Sequence, residues 1–317
     1  MATSFSPTNS VTVTTAEKFI PEIWSDEIVA AYKKNLVLAN LVMKMNFKGK
    51  KGDVIHIPSP TRGSATAKAA ETAVTLIAAT ESEVQVSINK HYEYSRLIED
   101  IVEAQALNSL RNFYTSDAGY ALAKQVDTDL VQLGRSTNGG GGTNAYATGA
   151  FIGGDGTTAY VAASNNESAL TDAAIRRTIQ RLDDTDTPMD QRFFLIPPSS
   201  RNTLMGLARY TEQAFVGGTN STIRTGEIGN LYGIPVFVSS NCDTASGSNN
   251  ARVCLMGHKD SMVLVEQMAI RSQVQYQQPY LATLYTADTL YGVQILRSAA
   301  STGAAKSASM FALLVPA

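Results

Sequence analysis

The sequence predicts an α+β protein, and three observations lead there. Leu107, Leu110, Tyr114, Ala118, Ala121/Leu122, Val126, Leu130 and Leu133 step by three or four, an apolar stripe that predicts one long helix from about 104 to 135. From residue 189 the rhythm changes to strands and short helices, closing in long strands after 262. Between two short strand candidates lies 59–82, more than twenty residues of mostly Ala, Thr and Ser. Connections in compact domains are typically about 4–6 residues, so this stretch is either disordered or finds its partner on another chain.

A chain of 317 residues is long enough for one large domain or two lobes with cores of their own. Charged residues are 17%, below the usual share of about a quarter. A net charge of −2 gives no global basic surface of the kind that binds nucleic acid. Cys242 and Cys254 are too far apart for a C-x-x-C motif and fit a reducing compartment. The polar start MATSFSPTNSVTVTT has no apolar signal region, and no window reaches the roughly 18 apolar residues needed to span a bilayer.

Taken in order, residues 1–15 are Ser/Thr-rich and read as an extended arm. Pro21 then suits a first helical turn, and Trp24, Ile28 and Tyr32 form an i, i+4, i+8 stripe. This segment docks either on its own domain or on a neighbour. Strands are expected at 53–58 and across 83–94, where Val84, Val86 and Ile88 share one face. The long helix ends at Gly134 and the glycine run after it, and 136–168 reads as a second surface excursion. A shorter helix follows, with Thr171 as N-cap, Asp172 in its first turn and Ile175, Ile179 and Leu182 facing the core. Pro188 stops it. RFFLIP reads as a buried strand, and PSSRNTLMGLAR as a short helix entered through Pro197-Pro198 and a serine cap. Residues 210–225 are a polar loop. In GEIGNLYGIPVFVSS, Gly233 marks a turn and 234–238 a strand. ARVCLMG, MVLVEQ, AIRSQVQYQ, LYGVQILR and the tail SMFALLVPA are further strands.

No chemical centre emerges. Gly139–Gly142 lack the lysine a P-loop needs after its last glycine. DDTDTPMD at 183–190 lacks the glycine and the bidentate acid of a calcium loop, so it reads as a helix end. His56 and His91 flank the long loop and are expected to form a cross-strand pair rather than a metal site; His258 is the third histidine. No G-x-S-x-G occurs and no nucleophile has an evident partner. Lys44, Lys48, Lys50 and Lys51 in KMNFKGKKGD make a local positive patch, which touches phosphate, stands as a solvated turn, or pairs with an acidic patch on a partner. No residue is assigned to catalysis, cofactor binding or metal binding.

At FIPEIW…GDVIHIP, QALNSLRNFYTSDAGYALAKQVDTDLV, GNLYGIPVFVSS and YGVQILR, the chain resembles major capsid proteins of tailed bacteriophages, with their HK97-like fold. The resemblance covers nearly the whole chain. It implies an N-terminal arm at 1–50, an extended E-loop hairpin at 51–96 and a P-domain at 97–188 whose spine helix is about 104–135. An A-domain follows at 189–261, then P-domain strands at 262–291 and a return to the A-domain at 292–317. The E-loop is expected to lie across the neighbouring subunit, with Arg62, Lys68 and Glu71 among its contacts, and the arm to contribute Trp24 and Tyr32. Lys68 leaves covalent cross-linking to a neighbour open.

The implied function is a non-enzymatic subunit that self-assembles into pentamers and hexamers, forming an icosahedral head around double-stranded DNA held non-specifically. No cofactor is implied and no membrane is involved. The implied location is the virion, with assembly in the host bacterial cytoplasm. The implied partners are further copies of the chain, a portal, cement or decoration proteins, and a scaffolding protein that is separate because no long charged helical prefix precedes the arm. Repeating contacts around an axis agree with a long loop laid on the next chain. An encapsulin-like compartment shell shares the fold and is the alternative, and a hydrolase with an α/β lobe is the reading from a different class.

Overall fold

The computed structural model describes residues 37–49, 51–59, 63, 65–74, 76, 82–100, 109–135, 150–161, 164, 166–207, 229–242, 251–297 and 309–317. Its first elements are helix α1 (Leu38–Leu41) and strand β1 (Met43–Asn46), followed by β2 (Val54–Ser59), β3 (Ser82–Ser87) and β4 (Lys90–Glu99). Helix α2 (Ser109–Arg135), strand β5 (Phe151–Ile152), helix α3 (Asp172–Asp184), strand β6 (Arg192–Ile196) and helix α4 (Pro198–Met205) come next. The chain closes with β7 (Asn230–Leu231), β8 (Ile234–Val238), β9 (Ala251–His258), β10 (Met262–Gln277), β11 (Ala282–Ile295) and β12 (Met310–Pro316). This is an α+β arrangement of three sheets: β1-β10-β11-β4, β5-β12-β9-β6-β8-β7, and the hairpin β2-β3.

The α2 stripe folds as its spacing requires. Its 27 residues span about 40 Å at 1.5 Å per residue. Ala118 and Leu122 pack on Tyr285 and Ala287 of β11, while Leu130 and Val131 enter the main core with Phe193, Leu195, Leu255 and Leu264. Residues 104–108 lie outside the described residues. The helix runs through Arg135, the end its stripe predicts. A Cβ on Gly134 would lie 2.7 Å from Leu255 Cδ1, so glycine there permits close approach to β9.

The six-stranded sheet is buried on both faces, which explains why RFFLI carries no alternation. Phe193 and Leu195 face the core shared with α2, whereas Phe194 and Ile196 face Leu170, Ile175, Leu182 and Leu204 on the other side. Its two edges, β5 and β7, are only two residues long, which limits the unpaired backbone offered to other chains. Thr171 caps α3 as expected, its Oγ1 accepting from Ala174 N–H at 3.3 Å. Helix α4 has no serine cap; Pro197 occupies the N-cap, and Pro198 supplies the preset first-turn φ.

The stretch at 230–238 is a hairpin. Tyr232 (φ 52°) and Gly233 (φ 81°) occupy its two-residue turn, both left-handed as a type I′ turn demands. The glycine and proline there set backbone shape.

Several elements depart from the sequence expectation. The run 83–94 is not one strand: it breaks at Ile88-Asn89, so that β3 pairs with β2 while β4 crosses to β11. The inward face holds through the break, with Val86 and Ile88 buried against Val263 and Val265. MVLVEQ and AIRSQVQYQ are one strand, β10, with register shifts near Glu266, Met268 and Arg271. The end of the expected excursion 136–168 is packed rather than exposed: β5 pairs in parallel with β12, and Ala150 and Tyr160 sit in the main core. Ala and Tyr among many glycines hid that packing. Strand β11 runs without interruption through 291 and 292.

Candidate functional site

The hairpin β2-β3 carries the long loop away from the sheets. Every loop residue whose burial is described between 63 and 76 is exposed, and Val74 and Leu76 present 71% and 90% of their surface. Lys68 is exposed beside a turn in which Thr72 donates to Ala69 O through both its backbone N–H (3.4 Å) and its Oγ1 (2.7 Å). Glu71 lies in that turn with φ 63°. Arg62, Trp24 and Tyr32 fall outside the described residues.

The base of the hairpin is fixed. Ile88 N–H donates to Asp53 O at 2.7 Å, and Gln267 Nε2 donates to Gly52 O at 3.0 Å. Gly292 passes so close that an added Cβ would lie 2.5 Å from Ser87 O. Ile55 and Ile57 pack against the cluster of Val86, Ile88, Val263 and Val265. The loop thus hangs from a rigid root.

Two buried acids on α2 tie that root to the rest of the molecule. Asp127 accepts from Leu38 N–H (2.9 Å), from Ala39 N–H (3.4 Å) and from Asn241 Nδ2 (3.0 Å). Burial pushes its carboxyl above the usual carboxylate range, against the pull of those donors. Asp129, two positions on, accepts from Tyr291 OH (2.7 Å) and Gln125 Nε2 (3.0 Å) and pairs with Lys90 Nζ (3.0 Å). Burial, then the Asp129 hydrogen bond, raises the Tyr291 phenol. One helical turn therefore joins α1, the loop after β8, β4 and β11. Neither acid stands out as a site in the sequence; the available signal was two acids, Asp127 and Asp129, set just before the buried Leu130 in the apolar stripe.

His56 and His91 do not face each other, which corrects the expected cross-strand pair. The break after Ile88 separates their sheets. His56 Nδ1 lies 2.9 Å from Glu83 Oε2, and His91 Nε2 lies 3.2 Å from Asp288 Oδ2. Asp288 also accepts from Arg271 Nε (2.8 Å) and Nη2 (2.9 Å), a fork that holds its carboxyl below the usual range. The Glu83 carboxyl is lowered by hydrogen bonds from Gln85 and then His56. Both cysteines are buried free thiols; burial pushes Cys254 up to about 12 and raises Cys242 further. Among the described residues no group of three His, Cys, Asp or Glu is placed to hold a metal, and no helix is long and apolar enough to cross a membrane.

Comparison with known proteins follows this geometry. The model of the Phage capsid family matches residues 17–301. No curated protein sequence matches. Among solved structures, one from Mycobacterium phage Che8 superposes with a TM-score of 0.72 at 20% identity, covering 93% of this chain and 97% of that one. The capsid structure of cyanophage P-SCSP1u gives 0.73 at 17% identity, covering 99% of both chains. The capsid of Ralstonia phage GP4 gives 0.63 at 13% identity, with 98% of both covered. At these identities the structures establish the fold.

Proposed function

The chain belongs to the phage capsid family and is a major capsid protein, and on that premise we propose how it closes a shell. Copies assemble into pentamers and hexamers of an icosahedral head around double-stranded DNA, and the loop at 59–82 lies on the next copy. The carrying observation is the exposure of Val74 and Leu76 on a loop rooted in a fixed hairpin. Buried against a neighbour, each aliphatic side chain contributes about 1.5–3 kcal/mol, repeated at every subunit contact. Arg62, Lys68 and Glu71 of that loop and Trp24 and Tyr32 of the arm are proposed contacts with the neighbour.

The hairpin at 51–96 serves as the E-loop. Residues 97–188 and 262–291 are assigned to the P-domain and 189–261 with 292–317 to the A-domain, following the arm at 1–50, with β5 and α3 of the former reaching onto the six-stranded sheet of the latter. The role is structural, without a catalytic step. The head encloses DNA without gripping it, consistent with a net charge of −2. A separate scaffolding protein guides assembly in the host bacterial cytoplasm, and a portal and cement or decoration proteins are the further partners. A compartment shell is not retained, because the family and the structures reported above are of phage capsids.

Deleting residues 61–80 tests the loop. The expected product is a folded subunit with unchanged circular dichroism that no longer forms closed particles. Normal particles from the deletion would remove the loop from shell closure.

A further inference from the structure

Two charged motifs remain outside the function described so far, and both are built as rigid protrusions. The first follows α3. Thr185 N–H donates to Arg181 O at 3.1 Å, Asp186 N–H to Asp183 O at 3.0 Å, and Thr187 N–H to Leu182 O at 3.1 Å. Asp186 and Gln191 adopt left-handed φ of 53° and 54°. Arg192, 5% exposed, locks this knuckle from below: its Nη2 donates to Asp183 Oδ1 (2.7 Å) and Thr187 O (2.6 Å), and its Nε to Pro188 O (2.8 Å). A buried guanidinium and two left-handed non-glycine residues in one turn are costly and persist only where the surroundings over-determine them. Here they hold Met189 outward, 77% exposed, among the exposed Asp184, Asp186 and Asp190. Among the described residues none of those three carboxylates is ion-paired.

The second motif is the turn after β1. Gly49 (φ 77°) and Gly52 (φ 137°) shape it, Phe47 N–H donates to Glu266 O at 2.9 Å, and Lys48 N–H donates to Asn46 Oδ1 at 2.9 Å. It exposes Lys44, Lys48 and Lys51 around a half-buried Phe47. Lys48 has only a 3.9 Å contact with Glu266 at the surface, and Lys44 donates to Asn40 Oδ1. No ion pair joins the knuckle to the turn within one copy, among the described residues.

The two are complementary in sign, and each sets apolar surface among its charges. We infer that the acidic knuckle 183–191 of one copy docks on the basic surface of Lys44, Lys48 and Lys51 of a neighbouring copy, with Met189 against the apolar surface beside Phe47. This rests on the shell reading and names a second contact between the same subunits. Isolated surface pairs contribute little, so the contact draws on several charges desolvated around one apolar side chain. Charge also selects the partner surface and speeds encounter, with a dependence on salt.

Charge exchange tests the pairing in the full-length chain. Asp184→Lys with Asp190→Lys, or Lys48→Glu with Lys51→Glu, is expected to lower the yield of closed particles about tenfold, equivalent to about 1.4 kcal/mol. Combining all four is expected to restore the yield to within about threefold, about 0.65 kcal/mol. Met189→Asp should act like the charge reversals, and Met189→Leu like the wild type. All variants should keep the wild-type melting temperature of the subunit. Carbodiimide coupling in particles made from mixed light and isotope-labelled copies should join Lys48 or Lys51 of one copy to Asp184 or Asp190 of another. Closed wild-type particles without that cross-link, or a combined variant no better than the worse parent, would overturn this docking alone. A wild-type chain that never associates, with or without its scaffolding protein, would overturn the shell reading with it.

Discussion

Asp127→Ala should loosen the seat of helix α1 on α2. The substitution removes the acceptor of Leu38 N–H at 2.9 Å and of Asn241 Nδ2 at 3.0 Å, together with the weaker 3.4 Å contact to Ala39 N–H. A buried donor left unpaired costs about 1–3 kcal/mol. Two such donors give about 2–6 kcal/mol, and the contact Asn241 keeps with Thr128 Oγ1 at 3.2 Å places the sum in the lower half. Removing the carboxylate also removes its burial cost, the same cost that raises its pKa. The expected net loss is about 2–3 kcal/mol in urea unfolding of the unassembled subunit. Asp127→Asn keeps one carbonyl oxygen for Leu38 and should cost about 1 kcal/mol less. Hydrogen exchange supplies the local readout: the amides of Leu38 and Ala39 should lose protection in the alanine variant before those of β9 do. A loss under about 0.5 kcal/mol with unchanged protection at Leu38 would refute the clamp.

Gly292→Ala forces a Cβ to within 2.5 Å of Ser87 O, where backbone rather than a side chain must yield. The expected cost is about 1–3 kcal/mol, read as a lower urea midpoint, and a neutral result would show that the hairpin root is not fixed there. Asp288→Asn probes pH. The folded pKa is lowered, chiefly by Arg271, so the carboxylate contributes stability that is present above the ordinary carboxylate value and is lost as pH falls through the depressed folded value. The stability gap between wild type and variant should therefore shrink from about pH 7 to about pH 3, and a constant gap would contradict the pairing. Cys242 and Cys254 should resist a thiol reagent in the folded subunit at about pH 8 and react once it unfolds. Rapid labelling of either in the native state would show that its burial is wrong.

Periodic features were the ones legible in the sequence. The α2 stripe, the Thr171 cap, the buried RFFLI strand and the Tyr232-Gly233 turn each rest on local spacing that one segment states by itself. What the sequence withheld depends on partners far along the chain. Nothing local in 83–94 says that β3 will pair with β2 while β4 pairs with β11, because Val84, Val86 and Ile88 keep one face through the break. The two-residue strand β5 is too short to show a period and exists because β12, far along the chain, supplies its ladder. Gly134 illustrates the same limit, since a glycine that ends a helix and one that lets a strand approach look alike in sequence. For the candidate site, the oversized loop was legible from length and composition. The Asp127 and Asp129 clamp was not, because its donors come from residues 38, 39, 90, 241 and 291.

The most direct test of the shell account is electron cryomicroscopy of particles formed by the full chain, expressed with and without its scaffolding protein. The account predicts closed particles of pentamers and hexamers in which Val74 and Leu76 of each copy are buried against the next. A monodisperse monomer or dimer under every condition, or closed particles with the 59–82 loop folded onto its own copy, would contradict it.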